Sequence, residues 1–254
     1  SLELKDVVIL SLQDPDTLLQ AKKLYLRFNV IRLLKRQYLI KEVHAHSGML
    51  NLIVDQTGRK NYVIWERQKE TEGESFLLDI DNLKLTGINL SFQNRSTDMA
   101  FAGNVRKGRF KGTFSREEYR MTSSIEGILH NYTKKGDRYF QDRKIAASAS
   151  LSVNPMMIEI LSGDLDLAGQ LLDVSGKIIR PRPLEYDLTV TSRHLDMDQV
   201  FRFGLMKGLK IPEDLEARGD VSFQARVTGM ASKTQMPRID ASFLLEKGWI
   251  TALA

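Results

Sequence analysis

The chain has 254 residues, of which 42% are hydrophobic and 27% are charged, and it carries a formal net charge of +5. This composition is typical of a folded protein, and the charge is too small to indicate nucleic-acid binding without a patterned basic patch. Cysteine is absent, which excludes disulfides, thiolate zinc sites and cysteine nucleophiles. No run of about 18 apolar residues occurs, so the sequence predicts no membrane-spanning helix.

Apolar residues alternate with polar ones along most of the chain, which is typical of strands that bury one face. In the first run, which starts at Leu2, the apolar positions keep one parity and Asp6 interrupts them. This alternation predicts that Val8 and Leu10 share a face with Leu2. Further runs follow at residues 24–30, 50–54, 83–85, 90–92, 101–105, 145–153, 174–178, 184–190, 221–227 and 239–245. The sequence therefore predicts an all-β fold.

Helix signals are short. Residues 14–19 predict one capped helical turn, with Pro15 in its first turn, and residues 31–35 predict another. Residues 198–207 predict a short amphipathic helix. Residues 66–75 are the most linker-like stretch, but no flexible linker imposes a domain boundary. Strands punctuated by glycine repeat in the second half of the chain, which predicts a meandering antiparallel sheet.

One candidate metal site is the alternating set Glu42, His44 and His46. Alternate strand residues point the same way, so one carboxylate and two imidazoles would share a face, as zinc ligands do. The simpler interpretation is the polar face of a half-exposed strand, and we predict no metal or other cofactor.

Signatures of catalysis are missing. The chain has no nucleophile elbow, dinucleotide loop, phosphate loop or metalloprotease motif. Two aspartate pairs, Asp164 with Asp166 and Asp196 with Asp198, could hold a cation or act as paired acids, but turn and cap roles are the better interpretation. We therefore predict that the protein is not an enzyme.

The densest basic run contains two interleaved phenylalanines, Phe110 and Phe114. This arrangement could form a platform for single-stranded nucleic acid. In a strand, however, the phenylalanines would be buried on the face opposite the cations, which favours a solvated surface or contact with anionic lipid headgroups. We predict no nucleic-acid partner. The cations of the run are Arg106, Lys107, Arg109, Lys111 and Arg116.

A long sheet with one apolar face needs cover. Two sheets of a sandwich would cover each other. A single sheet that curls without a second layer would instead leave an apolar groove, which suits an apolar ligand or partner. Composition alone leaves both arrangements open.

The order of elements in the first seventy residues resembles the amino-terminal region of the AsmA family, which includes TamB-like proteins of Gram-negative envelopes. The matching segments are the strand at residues 21–28, the pair Leu33-Leu34, the strand at residues 40–43 and the turn from Asp55 to Asn61, which has the form D-x-x-G-x-x-N. Residues 184–197 and 215–229 resemble the carboxy-terminal repeats of the family.

This resemblance implies a long antiparallel sheet curled into an open apolar trough, of the β-taco or repeating β-groove type. It implies an AsmA-like region at residues 1–70 and a continuation of the same groove at residues 71–254. The function implied is that of a periplasmic module that binds or conducts phospholipid between the inner and outer membranes and supports outer-membrane biogenesis. The alternative is a structural β-sandwich that binds protein partners.

The ends of the sequence bear on the partners. The chain starts at Ser1 without a methionine and stops in an apolar run. We interpret it as a fragment of a longer chain. The resemblance to the AsmA family implies an inner-membrane anchor upstream and a periplasmic location in a Gram-negative bacterium. Envelope protein partners and self-association through edge strands are also expected.

Strand parity selects the residues expected to contact lipid. Each shares its strand face with another apolar residue, and its immediate neighbours are mostly polar or glycine. The predicted set is Leu83, Leu85, Leu90, Phe92, Leu165, Leu167, Val174, Ile178, Leu188, Val190, Val221 and Phe223.

Overall fold

The computed structural model describes residues 1–11, 17–29, 38–62, 76–112, 118–180, 183–196, 215–231, 235 and 237–252. Within these ranges the regular secondary structure is strand, and the predicted all-β class is confirmed. The strands are β1 (Leu2–Leu10), β2 (Thr17–Phe28), β3 (Tyr38–Val54), β4 (Phe76–Asn94), β5 (Met99–Gly112), β6 (Tyr119–Lys134), β7 (Asp137–Asn154), β8 (Met157–Leu167), β9 (Gln170–Ile179), β10 (Leu184–Asp196), β11 (Leu215–Ala231) and β12 (Arg238–Ala252).

Of the predicted helices, those at residues 31–35 and 198–207 lie outside the described residues, as does most of the turn at residues 14–19. The linker-like residues 66–75 also lie outside them. The exception is the end of the first predicted turn, because Thr17, Leu18 and Leu19 begin β2. The helix prediction is wrong for these three residues. Their pairing with β1 and β3 supplies the backbone hydrogen bonds that a helix would have made.

The strands form one open sheet in which β1 to β12 follow one another in chain order, and the sheet does not close into a barrel. The predicted antiparallel arrangement is confirmed for most pairs. The pair β3–β4 is parallel, with Val43 opposite Leu83 and Leu50 opposite Leu90. A parallel pair needs a crossover of a dozen or more residues, and the chain between Val54 and Phe76 is long enough to supply it.

The chain packs as two compact units. The first contains residues 1–116 and 123–143, and the predicted boundary at residue 70 lies inside it. The second contains residues 117–122 and 144–254. The core of the first unit is the buried cluster Ala21, Leu24, Ala45, Leu85, Ile88 and Val105. The second unit has a smaller cluster, Leu195 and Val221, against which Leu172, Phe223 and Leu245 pack.

A row of left-handed residues crosses the first unit. Asp6, Ser47 and Gly87 have φ of +52°, +53° and +62°. The strand registers on either side of them align all three in one row. Strand alternation fails at a left-handed residue, as it does at a β-bulge. In β4 the buried side chain before Gly87 is at an odd-numbered position, Leu85, and the one after it is at an even-numbered position, Ile88.

This row corrects the prediction for β1. Val7, not Val8, packs against the core of the first unit. Val8 is 54% exposed and Leu10 is 55% exposed. The left-handed Asp6 reverses the faces of the residues that follow it. The prediction that Val8 and Leu10 share the face of Leu2 is therefore wrong.

The predicted turn after β3 is held by its own side chains. The carboxylate of Asp55 accepts hydrogen bonds from the backbone N–H groups of Thr57 and Arg59, at 2.7 and 3.0 Å. Asn61 is buried, its amide donates to the backbone oxygen of Asn51 at 2.9 Å, and it accepts from the backbone N–H of Ile53 at 2.8 Å. The Asn61 side chain thus pairs with the end of β3 as a neighbouring strand would.

Candidate functional site

The apolar face of the first unit contains four of the predicted residues. Leu83, Leu85 and Leu90 belong to the core or pack against it. Phe92 stacks on Phe101, with ring centroids 5.1 Å apart. The left-handed Gly87 explains how the odd positions 83 and 85 share a face with the even positions 90 and 92.

The apolar face of the second unit contains the other eight predicted residues, because the strand registers align them with apolar or small partners. Leu188 lies between Gly176 and Val227, and Val190 lies between Val174 and Ala225. The remaining rows pair Ile178 with Ile158 and Tyr186, Leu165 with Ala147 and Leu172, Leu167 with Ile145, Phe223 with Phe243, and Val221 with Leu195 and Leu245.

Exposure divides the twelve residues into two groups. Leu85, Leu167 and Val221 are buried, at 6%, 6% and 2% exposure, and so belong to the packed interior. The other nine are half-buried. The inner faces of a sandwich would be closed off by the facing sheet. In the part of the chain that the structure describes, the strands belong to one sheet.

The predicted set of lipid-contacting residues left out part of the first apolar face. Ile88 is fully buried and Val105 nearly so, and Leu50 packs against the cluster to which both belong. The alternation signal changes parity at Ser47 and Gly87, where the left-handed residues lie. In the sequence, the signal available for this change of parity was a polar residue or a glycine that interrupts the apolar alternation.

The candidate metal residues are directed to different partners. Glu42 accepts from the ammonium of Lys84 at 2.5 Å, while His44 Nε2 contacts the hydroxyl of Thr86 at 3.0 Å. His46 Nδ1 contacts the neighbouring serine hydroxyl at 2.8 Å. Over the described ranges, no three His, Asp or Glu side chains are grouped so as to hold a metal ion.

The charges around this cluster shift two pKa values. The hydrogen bond from Lys84 lowers the pKa of Glu42, and Arg27, with a guanidinium nitrogen 3.0 Å from a carboxylate oxygen of Glu42, acts in the same direction. Burial lowers the pKa of His44, and the positive charge of Lys84 lowers it further. The cluster is a network of ion pairs and hydrogen bonds on the polar face of β2 to β4.

Where the structure describes them, residues of the aspartate pairs take part in hydrogen bonds within the sheet and its turns. Asp164 accepts from the hydroxyl of Ser148 at 2.7 Å. Asp166 accepts from the backbone N–H of Gly169 at 2.7 Å, within the β8–β9 turn. The backbone N–H of Asp196 donates to a side chain of β9. Asp198 lies outside the described residues.

The basic run occupies the polar face of β5. Phe110 packs against the core on the opposite face, as strand alternation predicts. Lys107, Arg109 and Lys111 are exposed, while Phe114 and Arg116 lie outside the described residues. Phe110 therefore offers no stacking surface to a nucleic-acid base beside these cations.

Comparison with known proteins adds no family assignment. No family model matches the chain, and a search of curated proteins gives no significant match. The resemblance to the AsmA family remains a prediction from the sequence. Among the residues that the structure describes, no helix is long and apolar enough to cross a membrane.

Proposed function

We propose that the protein binds the acyl chains of phospholipid on the apolar faces of its sheet and conducts phospholipid between the inner and outer membranes. It would act as an AsmA-like module in the periplasm of a Gram-negative bacterium, attached to the inner membrane by a segment outside this chain. The function requires no bond to be made or broken.

The observation that carries this proposal is the half-exposed apolar face. Nine of the twelve predicted residues, including Leu188 and Val190 in neighbouring rows of the second unit, keep part of their surface free. Burial of each acyl methylene against such side chains contributes about 0.8 kcal/mol. Gly176, which has no side chain, lies opposite Leu188 in the same row.

Native mass spectrometry of the purified chain tests the proposal directly. We expect phospholipid to copurify in a defined ratio and to be displaced by added phospholipid of another acyl length. Protein that carries no lipid, and takes up none from mixed micelles, would refute the proposed function. Crosslinking from a photoreactive fatty acid should fall on the apolar face, at positions such as Leu188, and not at its neighbour Thr189.

A second candidate function is binding of a protein partner along β12. This strand lies at one edge of the sheet. Ile239 is 65% exposed and Leu244 is 62% exposed, and these residues alternate to opposite faces. An edge strand can pair with a strand of another chain. Copurification of a stoichiometric protein partner without lipid would favour this candidate.

A further inference from the structure

The polar face of β5 exposes a row of three cations. We call Lys107, Arg109 and Lys111 the basic stripe. All three are exposed. Alternate residues of one strand are about 6.6 Å apart, so the stripe presents three positive charges along about 13 Å of the sheet surface.

The residues of β4 that lie opposite the stripe add positive charge and no negative charge, and Asp81 of the same strand forms an ion pair with Lys41. On β4, the residues opposite the stripe are Thr86, Lys84 and Asn82. Lys84 already pairs with Glu42, one strand further away. No described residue forms an ion pair with any cation of the stripe.

An acidic residue of β6, the strand on the other side of β5, is engaged as well. Glu126 of β6 pairs with Arg106. Arg106 and Lys107 are consecutive and both are exposed, because β5 changes faces between the buried Val105 and Gly108. Because of this change of faces, the Lys107 side chain lies outside the core and on the same face of β5 as Arg109.

We infer that the basic stripe docks the protein on an anionic lipid surface. Each Lys or Arg held near such a surface adds about fivefold to the partition coefficient, and this attraction needs no shaped pocket. Nucleic acid is the other polyanion to consider, but Phe110 packs against the core of the first unit, on the face opposite the stripe, and offers no stacking surface to a base beside these cations. The choice of lipid as partner rests on the proposed function, because a module that carries phospholipid must meet a bilayer.

The test is flotation of the full chain with vesicles of phosphatidylcholine, with and without 30 mol% phosphatidylglycerol. We expect binding to the anionic vesicles alone, and weaker binding as salt rises. The triple variant Lys107→Gln, Arg109→Gln, Lys111→Gln should bind roughly 100-fold more weakly. Its melting temperature should match that of the unmodified protein, since the three side chains are exposed and form no described ion pair.

A matched control removes the same charge elsewhere. Lys134→Gln, Lys144→Gln, Arg218→Gln replaces two lysines and one arginine that are also exposed, and it should bind anionic vesicles within about twofold of the unmodified protein. Equal losses in both triple variants would overturn the inference, because net charge alone would then explain binding. Tighter binding to a single-stranded oligonucleotide than to anionic vesicles would overturn it in favour of nucleic acid.

Lipid content measured on the same samples separates this inference from the proposed function. The stripe variant should keep its copurified phospholipid, because the stripe lies on the face opposite the apolar residues. Stripe-dependent vesicle binding by protein that never carries lipid would refute the proposed function and leave the docking surface standing. Lipid-loaded protein that ignores anionic vesicles would refute the docking surface alone.

Discussion

Replacing Leu188 by glutamate discriminates between an open apolar face and a closed core. Leu188 is half-buried, and its neighbours in the row are Gly176 and Val227. Full burial of a leucine contributes about 1.5–3 kcal/mol. Loss of about half of that, with the new carboxylate still in reach of water, predicts destabilisation of about 0.75–1.5 kcal/mol for Leu188→Glu.

Two comparison variants set the scale. Leu167 is only 6% exposed, so Leu167→Glu creates an unpaired buried charge and should cost more than about 4 kcal/mol or prevent folding. Thr189 lies next to Leu188 but on the polar face, opposite Arg226. Thr189→Glu should change the free energy of unfolding by less than about 0.5 kcal/mol.

Urea denaturation followed by circular dichroism measures the three free energies, and native mass spectrometry measures the lipid that each variant retains. We expect Leu188→Glu to fold and to lose lipid, while Thr189→Glu keeps both fold and lipid. If Leu188→Glu were as destabilising as Leu167→Glu, the face would be closed and our reasoning would fail. Normal lipid content in folded Leu188→Glu protein would equally refute acyl-chain binding at this row.

Four shorter predictions follow from other parts of the molecule. Gly176→Ala should lower the free energy of unfolding by about 2–4 kcal/mol in urea denaturation, because φ is +126° there and a Cβ would lie 2.1 Å from a backbone oxygen of β10. Lys84 lowers the pKa of Glu42 below its ordinary 4.5. The pair therefore stabilises the fold fully above pH 4.5, and this stabilisation is lost as the pH falls through the lowered pKa. Glu42→Gln should remove this loss and so flatten the acid side of a curve of unfolding free energy against pH. Added zinc should leave the melting temperature unchanged, and a zinc-dependent rise that His44→Ala abolishes would contradict our interpretation of the cluster. Light scattering should show self-association at high concentration that Ile239→Lys on the edge strand β12 reduces, and a strictly monomeric unmodified chain would count against it.

Part of the candidate site could be predicted from the sequence, because strand alternation is a local property. Each residue of a strand points to the side opposite its neighbour, whatever the strand pairs with. The run from Leu184 to Val190 therefore predicted that Leu188 and Val190 share a face, and their registers with β9 and β11 agree. The turn from Asp55 to Asn61 was equally accessible, since its hydrogen bonds join residues close together in the chain.

The sequence by itself determined that the chain forms strands and which residues share a face within an uninterrupted run. Tertiary structure decided where those runs reverse and how they pair. The parallel pairing of β3 with β4 depends on the edge that the returning chain joins, which no alternation pattern encodes. Left-handed conformations are uncommon in residues other than glycine, although aspartate adopts them more often than most. Those of Asp6 and Ser47 matter because the sheet aligns them with Gly87. Adjacent strands must reverse faces in the same row, since otherwise the apolar side chains of one strand would meet the polar face of the next.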